Sequence, residues 1–242
     1  MSKDYYDLIM LVIANESDEN RYNDFIKEYW IKFIKYTRCY TPNIKIFLLF
    51  GEKPKKLRIN KSDMIITNTK EDLIPGILKK TIHAFQYCDS KYKYKHILRT
   101  NLSSFFILDK LLLINNTLSN KNLYAGLKFD WGIGGSEIWL SSDVITYILL
   151  NRDKINYSKI DDISIGSLLQ NKFNKFNINL YNPFFKLNKN KSDELLDNKD
   201  KIIKEVINNN YHLIRLKQLH GDRTNDIKMI KYLWKFFYDH SK

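Results

Sequence analysis

Apolar runs alternate with amphipathic stretches along the first half of the chain. Residues 7–14 (DLIMLVIA) and 44–50 (IKIFLLF) are nearly continuous apolar runs. Such runs are typical of strands that are buried on both faces of a parallel sheet. Between them, pairs of apolar residues recur four positions apart across 25–34, which predicts a helix with one stripe against the sheet.

The same criteria, together with Pro75 at a helix start and Ser141 as an N-cap, extend the prediction along the chain. They predict strands at 64–67, 96–99, 123–129, 137–140, 177–181 and 211–216, and helices at 75–89, 106–114, 141–151, 163–170 and 225–238. The polar segment 186–201 is predicted to be a surface loop. Alternating strands and helices predict an α/β fold with a mostly parallel central sheet and helices on both faces. In such sheets, ligands bind beyond the carboxyl ends of the strands.

Composition narrows the class of protein. The chain has 242 residues, 44% of them hydrophobic, and no internal repeat or linker, so we expect one domain over 1–242. Its two cysteines do not form a CxxC pair, and no apolar run approaches the roughly 18 residues of a membrane span. These features predict a soluble, cytoplasmic protein.

The formal net charge of +13 suggests an anionic partner, such as nucleic acid, an anionic surface or a phosphorylated substrate. Most lysines are scattered, which is typical of a solvated surface and argues against a nucleic-acid partner. Two clusters stand out, one in the segment 53–56 (KPKK) and one in the tyrosine–lysine alternation of 91–95.

Three motifs contain residue types suited to binding or catalysis. The strand predicted at 96–99 is followed by 99–104 (RTNLSS), which places a cation and several hydrogen-bonding groups at the sheet edge. The segment 131–135 (WGIGG) predicts a glycine-rich loop between two strands, where the backbone can approach a ligand. Asp161 and Asp162 begin a predicted helix, where either carboxylate could act as a general base.

Each motif also has a purely structural interpretation. The polar groups of 99–104 could cap the next helix, the glycines could form a plain connection, and the aspartates could cap a helix and interact with its dipole. Near the C-terminus, Lys217, His220 and Arg223 precede the last predicted helix and could form an anion site at its N-terminus. The alternative there is a polar loop with an internal salt bridge.

The order of these motifs resembles GT-A-type glycosyltransferases of the β-1,3-glycosyltransferase and Fringe-like branch, with its small viral and bacterial relatives. In that family a strand ends in a Lys-Thr-Asp-Asp-Asp type sequence, and Arg99-Thr100 stands where Lys-Thr would be. A glycine-rich segment and a Ser-Arg-Asp helix start follow, similar to 134–143 (GGSEIWLSSD). The family's Glu-Asp-Val and glycine are matched by 161–166 (DDISIG), and the resemblance spans residues 7–170.

One departure concerns the metal. Asn101 and Ser103 occupy the positions of the first and third Asp of the family's metal-binding sequence. A Mn or Mg ion prefers carboxylate oxygens, and 99–104 contains none. Either the ion is held elsewhere, or arginine and lysine balance the diphosphate charge, so the metal ligands stay unknown at this point.

The resemblance implies an inverting transfer of a sugar from a nucleotide diphosphate, with UDP favoured, to a hydroxyl of a glycan acceptor. Residues 1–110 would form the nucleotide-binding half, and 111–242 the acceptor-side half with the C-terminal helix. The implied catalytic residues are Asp162, as the base, and Asp161. The implied donor-binding residues are Ala14, Asn15, Thr67, Asn68, Arg99, Thr100, Asn101 and Ser103; the acceptor-side residues are Trp131, Gly134 and Gly135; and the diphosphate-binding residues are Lys217, His220 and Arg223.

Two rival functions remain open at the level of sequence. One is a non-catalytic basic α/β module, in which the tyrosines of 91–95 would stack on bases while the lysines meet phosphates. The other is a nucleotidyltransferase, which is disfavoured because no glycine-rich, basic phosphate loop follows the first strand.

Overall fold

The computed structural model describes residues 3–18, 21–180, 194–217 and 223–239. The strands in this part of the chain are β1 Asp4–Ile13, β2 Ile44–Phe50, β3 Met64–Ile66, β4 Tyr92–Asn101, β5 Ser104–Phe106, β6 Tyr124–Phe129, β7 Gly132–Ser141, β8 Lys175–Asn177 and β9 Leu213–Arg215. The helices are α1 Tyr22–Phe25, α2 Ile31–Tyr40, α3 Gly76–Lys91, α4 Leu108–Thr117, α5 Ser142–Leu150, α6 Asp161–Leu169, α7 Glu194–Asp197, α8 Lys199–Asn208 and α9 Thr224–Phe237. A π-helical segment, Ile26–Trp30, joins α1 to α2.

The central sheet has seven strands in the order β3-β2-β1-β4-β7-β6-β8. The first four strands of this order run parallel, β7 is antiparallel to both of its neighbours, and β8 is parallel to β6. The predicted α/β fold with a mostly parallel sheet is therefore confirmed. β1 pairs with β2 and β4 along most of its length, so its end is central to one edge of the sheet.

Helices cover both faces of this sheet, as predicted. Successive residues of β1 alternate between the two faces: Leu8, Met10 and Val12 pack in one apolar core, and Ile9 and Leu11 in the other. The first core is closed by α1, α2, α8 and α9, and the second by α3, α5 and α6. This is why β1 has a continuous apolar run rather than an alternating one.

The prediction of a glycine-rich loop at 131–135 is wrong for the glycines themselves. Gly132, Gly134 and Gly135 lie in β7, and the turn of the β6–β7 hairpin is Asp130–Trp131. A Cβ on Gly132 would lie 3.1 Å from the Cα of Gly166, and one on Gly134 would lie 2.6 Å from the Phe129 ring. These glycines let a helix and an aromatic ring approach the strand, which is a packing role for glycine within a strand.

The predicted loop at 186–201 is also wrong over its described part. Residues 194–197 form α7, and 199–201 begin α8. Leu195, Ile202 and Val206 are buried in the first core. Within α8, Val206 follows Ile203 by three residues and Ile202 by four, which is helical spacing, and charged residues lie between them in the sequence. The edge strand predicted at 177–181 lies earlier, at Lys175–Asn177. Residues Ser104–Phe106 form a strand, although the sequence predicts a helix from 106 onwards.

A second, two-stranded sheet joins β5 to β9. A buried polar cluster lies where this small sheet meets β7. The carboxylate of Glu137 accepts hydrogen bonds from Trp139 Nε1 at 3.1 Å and lies 2.6 Å from His212 Nε2, and both Glu137 and His212 are fully buried. Because His212 immediately precedes β9, this contact determines where β9 lies against the central sheet.

Within the described ranges, no helix combines the length and the apolar character needed to cross a bilayer.

We predict that His212→Ala destabilises the protein strongly, because it leaves a buried carboxylate without its main partner. The expected loss is about 3 kcal/mol in the free energy of unfolding, measured by urea denaturation. The exposed His83 on α3 offers a matched control, and His83→Ala should change stability by less than about 0.5 kcal/mol. Equal effects of the two variants would contradict the proposed importance of the buried cluster.

Candidate functional site

A cavity of about 550 Å³ opens at the carboxyl ends of β1 and β4. This volume lies within the usual range of small-molecule sites. Of the residues singled out from the sequence, those that line it are Ala14, Asn15, Arg99, Asn101, Ser103, Gly135, Asp161, Asp162, Lys217 and Arg223. The structure thus brings together residues from the two ends of the chain at the edge where the sheet topology predicts a ligand.

Other predicted site residues do not line this cavity. Thr67 is buried and donates a hydrogen bond from its hydroxyl to the Phe50 carbonyl at 3.2 Å, and Asn68 is exposed beside it. Thr100 is fully buried and donates to the Ser136 carbonyl at 2.6 Å, so it ties β4 to β7. Trp131 and Gly134 lie towards the tip of the β6–β7 hairpin, and His220 lies outside the described residues.

Arg99 contacts two other elements of the cavity wall. Its guanidinium donates to the carbonyl of Gly135 and forms an ion pair with the carboxylate of Asp161. All but 3% of Arg99 is buried, and its Nε has no hydrogen-bond partner among the described residues. A Cβ on residue 135 would lie 2.8 Å from Arg99 Nη1, so the contact depends on glycine at that position.

The rest of the 99–104 segment forms hydrogen bonds both within itself and to neighbouring strands. Asn101 Nδ2 donates to the Gly135 carbonyl at 2.9 Å, and Asn101 Oδ1 accepts from Ser103 at 3.1 Å. The hydroxyl of Ser104 contacts the Ser136 carbonyl and receives a hydrogen bond from Arg215 at 3.2 Å. This segment therefore joins β4, β7 and β9, and it forms the floor of the cavity rather than a loop free to wrap a ligand.

The two adjacent aspartates have different surroundings. Asp161 is buried against Arg99, and burial raises its pKa against the opposing effect of the Arg99 charge. Asp162 is half-buried, and its carboxylate accepts hydrogen bonds from the backbone amides of Gly135 and Ile163, both at 2.9 Å. Asp161 therefore holds Arg99, while Asp162 presents a fixed carboxylate to the cavity.

Cations gather on the cavity wall where β9 ends. Burial, together with the nearby charges of Arg223 and Arg99, lowers the pKa of Arg215 to about 9, which leaves it cationic at neutral pH. Partial desolvation and the charges of Arg215 and Arg223 also lower the pKa of Lys217. Like charges repel, so this crowding indicates a site that is stabilised when an anion binds.

These cations differ in how far they are already paired. Arg223 donates to Asp226 at 2.9 Å and to the Leu216 carbonyl at 2.8 Å, and its guanidinium lies 4.5 Å from the centre of the Phe25 ring. In the part of the chain that the structure describes, Arg215 and Lys217 have no carboxylate partner within ion-pair distance. They are the cations best placed to receive a ligand anion.

The far end of the cavity contains a buried lysine that the sequence analysis did not single out. Lys80 is 1% exposed, and its ammonium donates to the Ala14 carbonyl at 2.8 Å and to Glu71 at 2.5 Å. Glu71 also accepts a hydrogen bond from the amide of Gly51 at 2.5 Å. Lys80 and Glu71 thus connect the ends of β1 and β2, and burial lowers the pKa of this lysine.

The residues of this cavity do not fit a hard divalent cation. Asn101 and Ser103 supply no carboxylate, Asp161 is neutralised by Arg99, and Glu71 by Lys80. No group of three or more acidic, histidine or cysteine side chains within the described ranges is arranged to hold a metal ion. Mg²⁺ beside a nucleotide usually takes one or two carboxylates together with phosphate oxygens and water. The other two carboxylates of the cavity, Asp72 and Asp162, accept hydrogen bonds from backbone amides.

Two site residues could have been found from the sequence by a specific signal. Arg215 interrupts an otherwise apolar predicted strand, and a charge inside a buried strand usually has a partner or a function. Lys80 falls on the buried stripe of its helix, between Ile77 and Ala84. Glu71 carries no comparable signal, because it lies in an irregular segment.

No protein-family model matches this sequence, and no curated protein shows significant sequence similarity to it. Among solved structures, the chain is similar to the catalytic domain of Drosophila β1,4-galactosyltransferase 7 in complex with xylobiose, with a TM-score of 0.45 and 10% identity. That alignment covers 71% of this chain and 64% of the other, less than two thirds of its length. It is also similar to an active-site mutant of LgtC, with a TM-score of 0.43 and 10% identity over 95% of this chain and 99% of the other. Both TM-scores lie below 0.5, so the function is inferred from the cavity's own residues.

We predict that pyrophosphate binds this cavity and that Arg215→Gln weakens the binding by roughly tenfold or more, the usual loss for a charge-assisted hydrogen bond. Pyrophosphate should raise the melting temperature of the unmodified protein, and calorimetric titration should show the weaker affinity of the variant. The exposed Arg152 provides a control of equal charge change, and Arg152→Gln should bind normally. Equal affinities for all three proteins would place the anion elsewhere.

Proposed function

We propose that the protein is a glycosyltransferase that moves a sugar from a nucleotide diphosphate to an acceptor hydroxyl. The observation that supports this most directly is the division of charge within one cavity. Asp162 offers a fixed carboxylate on one wall, and Arg215 and Lys217, which have no carboxylate partner among the described residues, offer cations on another. Sugar transfer needs both a base for the acceptor hydroxyl and positive charge for the departing diphosphate.

In this proposal the nucleoside lies near Ala14 and Asn15, beside the Lys80–Glu71 pair, and the diphosphate lies against Arg215 and Lys217. This arrangement follows the cavity from the end of β1 to the end of β9. Residues 1–110 would then supply most of the nucleotide site, and residues 111–242 the base and the diphosphate-binding cations. A UDP-sugar is the donor that the resemblance favours.

The proposed chemical step is inverting. Asp162 takes the proton of the acceptor hydroxyl as that oxygen forms a bond to the anomeric carbon, and the bond to the diphosphate oxygen breaks on the opposite face. The electron pair leaves with the diphosphate, whose charge Arg215 and Lys217 stabilise. Asp161 acts as a positioning residue, since it holds Arg99 and precedes Asp162 in the first turn of α6.

The acceptor side would lie along the β6–β7 hairpin. The rings of Phe129 and Trp131 are stacked, with centroids 5.1 Å apart and planes 4° apart, and Phe129 is 40% exposed. The backbone of Trp131 packs against Gly166, which lies one helical turn beyond Asp162 on α6. Such a flat aromatic surface would support the apolar face of a glycan ring.

The structure disfavours the rival function as a nucleic-acid-binding module. Tyr94 is 7% exposed and packs in the second apolar core, while Tyr92 packs against Tyr6 and Phe47. Because these rings are engaged within the sheet and its core, they are not available to stack on bases. The tyrosine–lysine alternation is thus the two-residue periodicity of β4.

We predict that Asp162→Asn lowers turnover by about two orders of magnitude or more while leaving donor affinity within a few-fold of normal. The amide keeps the shape and one acceptor atom but cannot take the proton. Turnover is measured with the donor identified below, and donor affinity by titration. Asp153, exposed on a separate segment, gives the matched Asp153→Asn control, which should be fully active. Near-normal turnover of Asp162→Asn would remove this residue from the role of base.

The function itself is tested by a thermal-shift panel of UDP, GDP, CDP and TDP sugars, each with and without manganese. One nucleotide class should raise the melting temperature, and the increase should not need manganese, because no group of described side chains is arranged to hold a metal ion. The Arg215→Gln variant should lose the response. Failure of every nucleotide sugar to stabilise a protein that binds pyrophosphate would contradict the glycosyltransferase proposal while leaving the anion site intact.

A further inference from the structure

A second cleft, of about 510 Å³, lies between α2 and the segment that connects β2 to β3, and it shares no lining residue with the first cavity. Its floor is apolar and is formed by Ile31, Ile34, Pro54, Leu57, Ile59 and Met64. Leu57 and Ile34 are 7% and 5% exposed, so this floor belongs to the packed core and is not a loose surface. The volume is comparable to that of the first cavity and suits a small ligand.

The rim of this cleft is strongly basic. The cations that line it are Lys35, Arg38, Lys53, Arg58 and Lys61, all of them exposed. Asp63 is the single carboxylate among the lining residues that the structure describes, and it lies 2.5 Å from Arg38 and 3.7 Å from Lys45. The cleft therefore carries a net positive charge that no described acidic side chain balances.

The connecting segment that carries part of this rim is held in place. The carboxylate of Glu16 accepts hydrogen bonds from the backbone amides of Lys55 at 2.8 Å and Lys56 at 2.5 Å, and the Lys56 ammonium lies 2.7 Å from Asp18. The backbone amides of Lys55 and Lys56 and the ammonium of Lys56 thus fix the segment, while Lys53 lines the cleft. A neighbouring cavity of about 240 Å³ shares Ile34, Arg38 and Asp63 with this cleft and extends its apolar floor.

We propose that this cleft binds an anionic phospholipid, with the headgroup phosphate at the basic rim and part of the hydrocarbon on the apolar floor. Charge complementarity favours an anion, and the apolar floor favours an amphiphile over a purely polar polyanion. A second copy of this chain is a poor occupant, since its formal net charge is also +13. The site is separate from the cavity of the proposed reaction, and it does not depend on that reaction.

The experiment is a calorimetric titration with dihexanoyl-phosphatidylglycerol below its micelle concentration. Dihexanoyl-phosphatidylcholine and glycerol 3-phosphate serve as comparison ligands. The anionic lipid should bind at least tenfold more tightly than either, because only it offers both the net charge and the hydrocarbon. Equal binding of glycerol 3-phosphate would reduce the cleft to a phosphate site, and equal binding of phosphatidylcholine would reduce it to an apolar one; either result overturns the proposal.

The double variant Arg58→Glu, Lys61→Glu should weaken binding of phosphatidylglycerol by roughly tenfold or more, since each basic residue near an anionic lipid contributes appreciably. The matched control is Lys121→Glu, Lys201→Glu, which makes the same change in net charge at two exposed positions outside the cleft. Equal losses in the two double variants would show a non-specific effect of net charge and overturn the site.

Two further measurements keep the outcome decisive. Circular dichroism and a melting curve check the fold of each variant, and Arg58→Gln, Lys61→Gln replaces the charge reversal if the first variant does not fold. Pentaglutamate competes for the same cations without a hydrocarbon part. Tighter binding of that peptide than of the lipid would indicate an acidic protein partner instead and would contradict the proposal.

Discussion

The buried contact between Arg99 and Asp161 is the interaction on which the arrangement of the first cavity depends. It joins the end of β4 to the first turn of α6, and the same guanidinium holds the carbonyl of Gly135 on β7. Burying an unpaired charge costs several kcal/mol, so each of these groups is fixed by the need to satisfy the others. Asp162 follows Asp161 in the same helical turn, so the ion pair also fixes the position of Asp162.

A second buried contact, between Glu137 and His212, acts on the other wall of the cavity. Neither Glu137 nor His212 lines the cavity, yet β9 contains Arg215 and leads to Lys217. Asp162 and the cations at the end of β9 are thus held by two different buried polar contacts. Both contacts involve β7. Arg99 donates to the carbonyl of Gly135 on this strand, and Glu137 on the same strand contacts His212 beside the small sheet. This strand is the common support for both walls.

Several elements could be predicted from the pattern of residues because local and tertiary preferences agree there. The run at 44–50 is a strand over the predicted residues, and the helix predicted from Pro75 begins at Gly76. Predictions were wrong where these preferences conflict. The glycines of 132–135 suggest a loop, yet they lie in β7 because a helix backbone and an aromatic ring press against them. The polar segment at 194–201 is helical because its few apolar residues pack in the core.

The sequence by itself determined the alternation of strands and helices, the edge of the sheet where a ligand site would form, and the presence of Asp161 and Asp162 at a helix start. These are properties of short segments, and periodicity and capping chemistry report on short segments directly. Only the tertiary structure decided which of the two aspartates is paired with Arg99 and which faces the cavity. It also decided that Arg215 and Lys80 line this cavity. Each of them lies more than 60 residues along the chain from other residues of the cavity. Such contacts depend on which strands become neighbours in the sheet, and no local pattern in the chain encodes that choice.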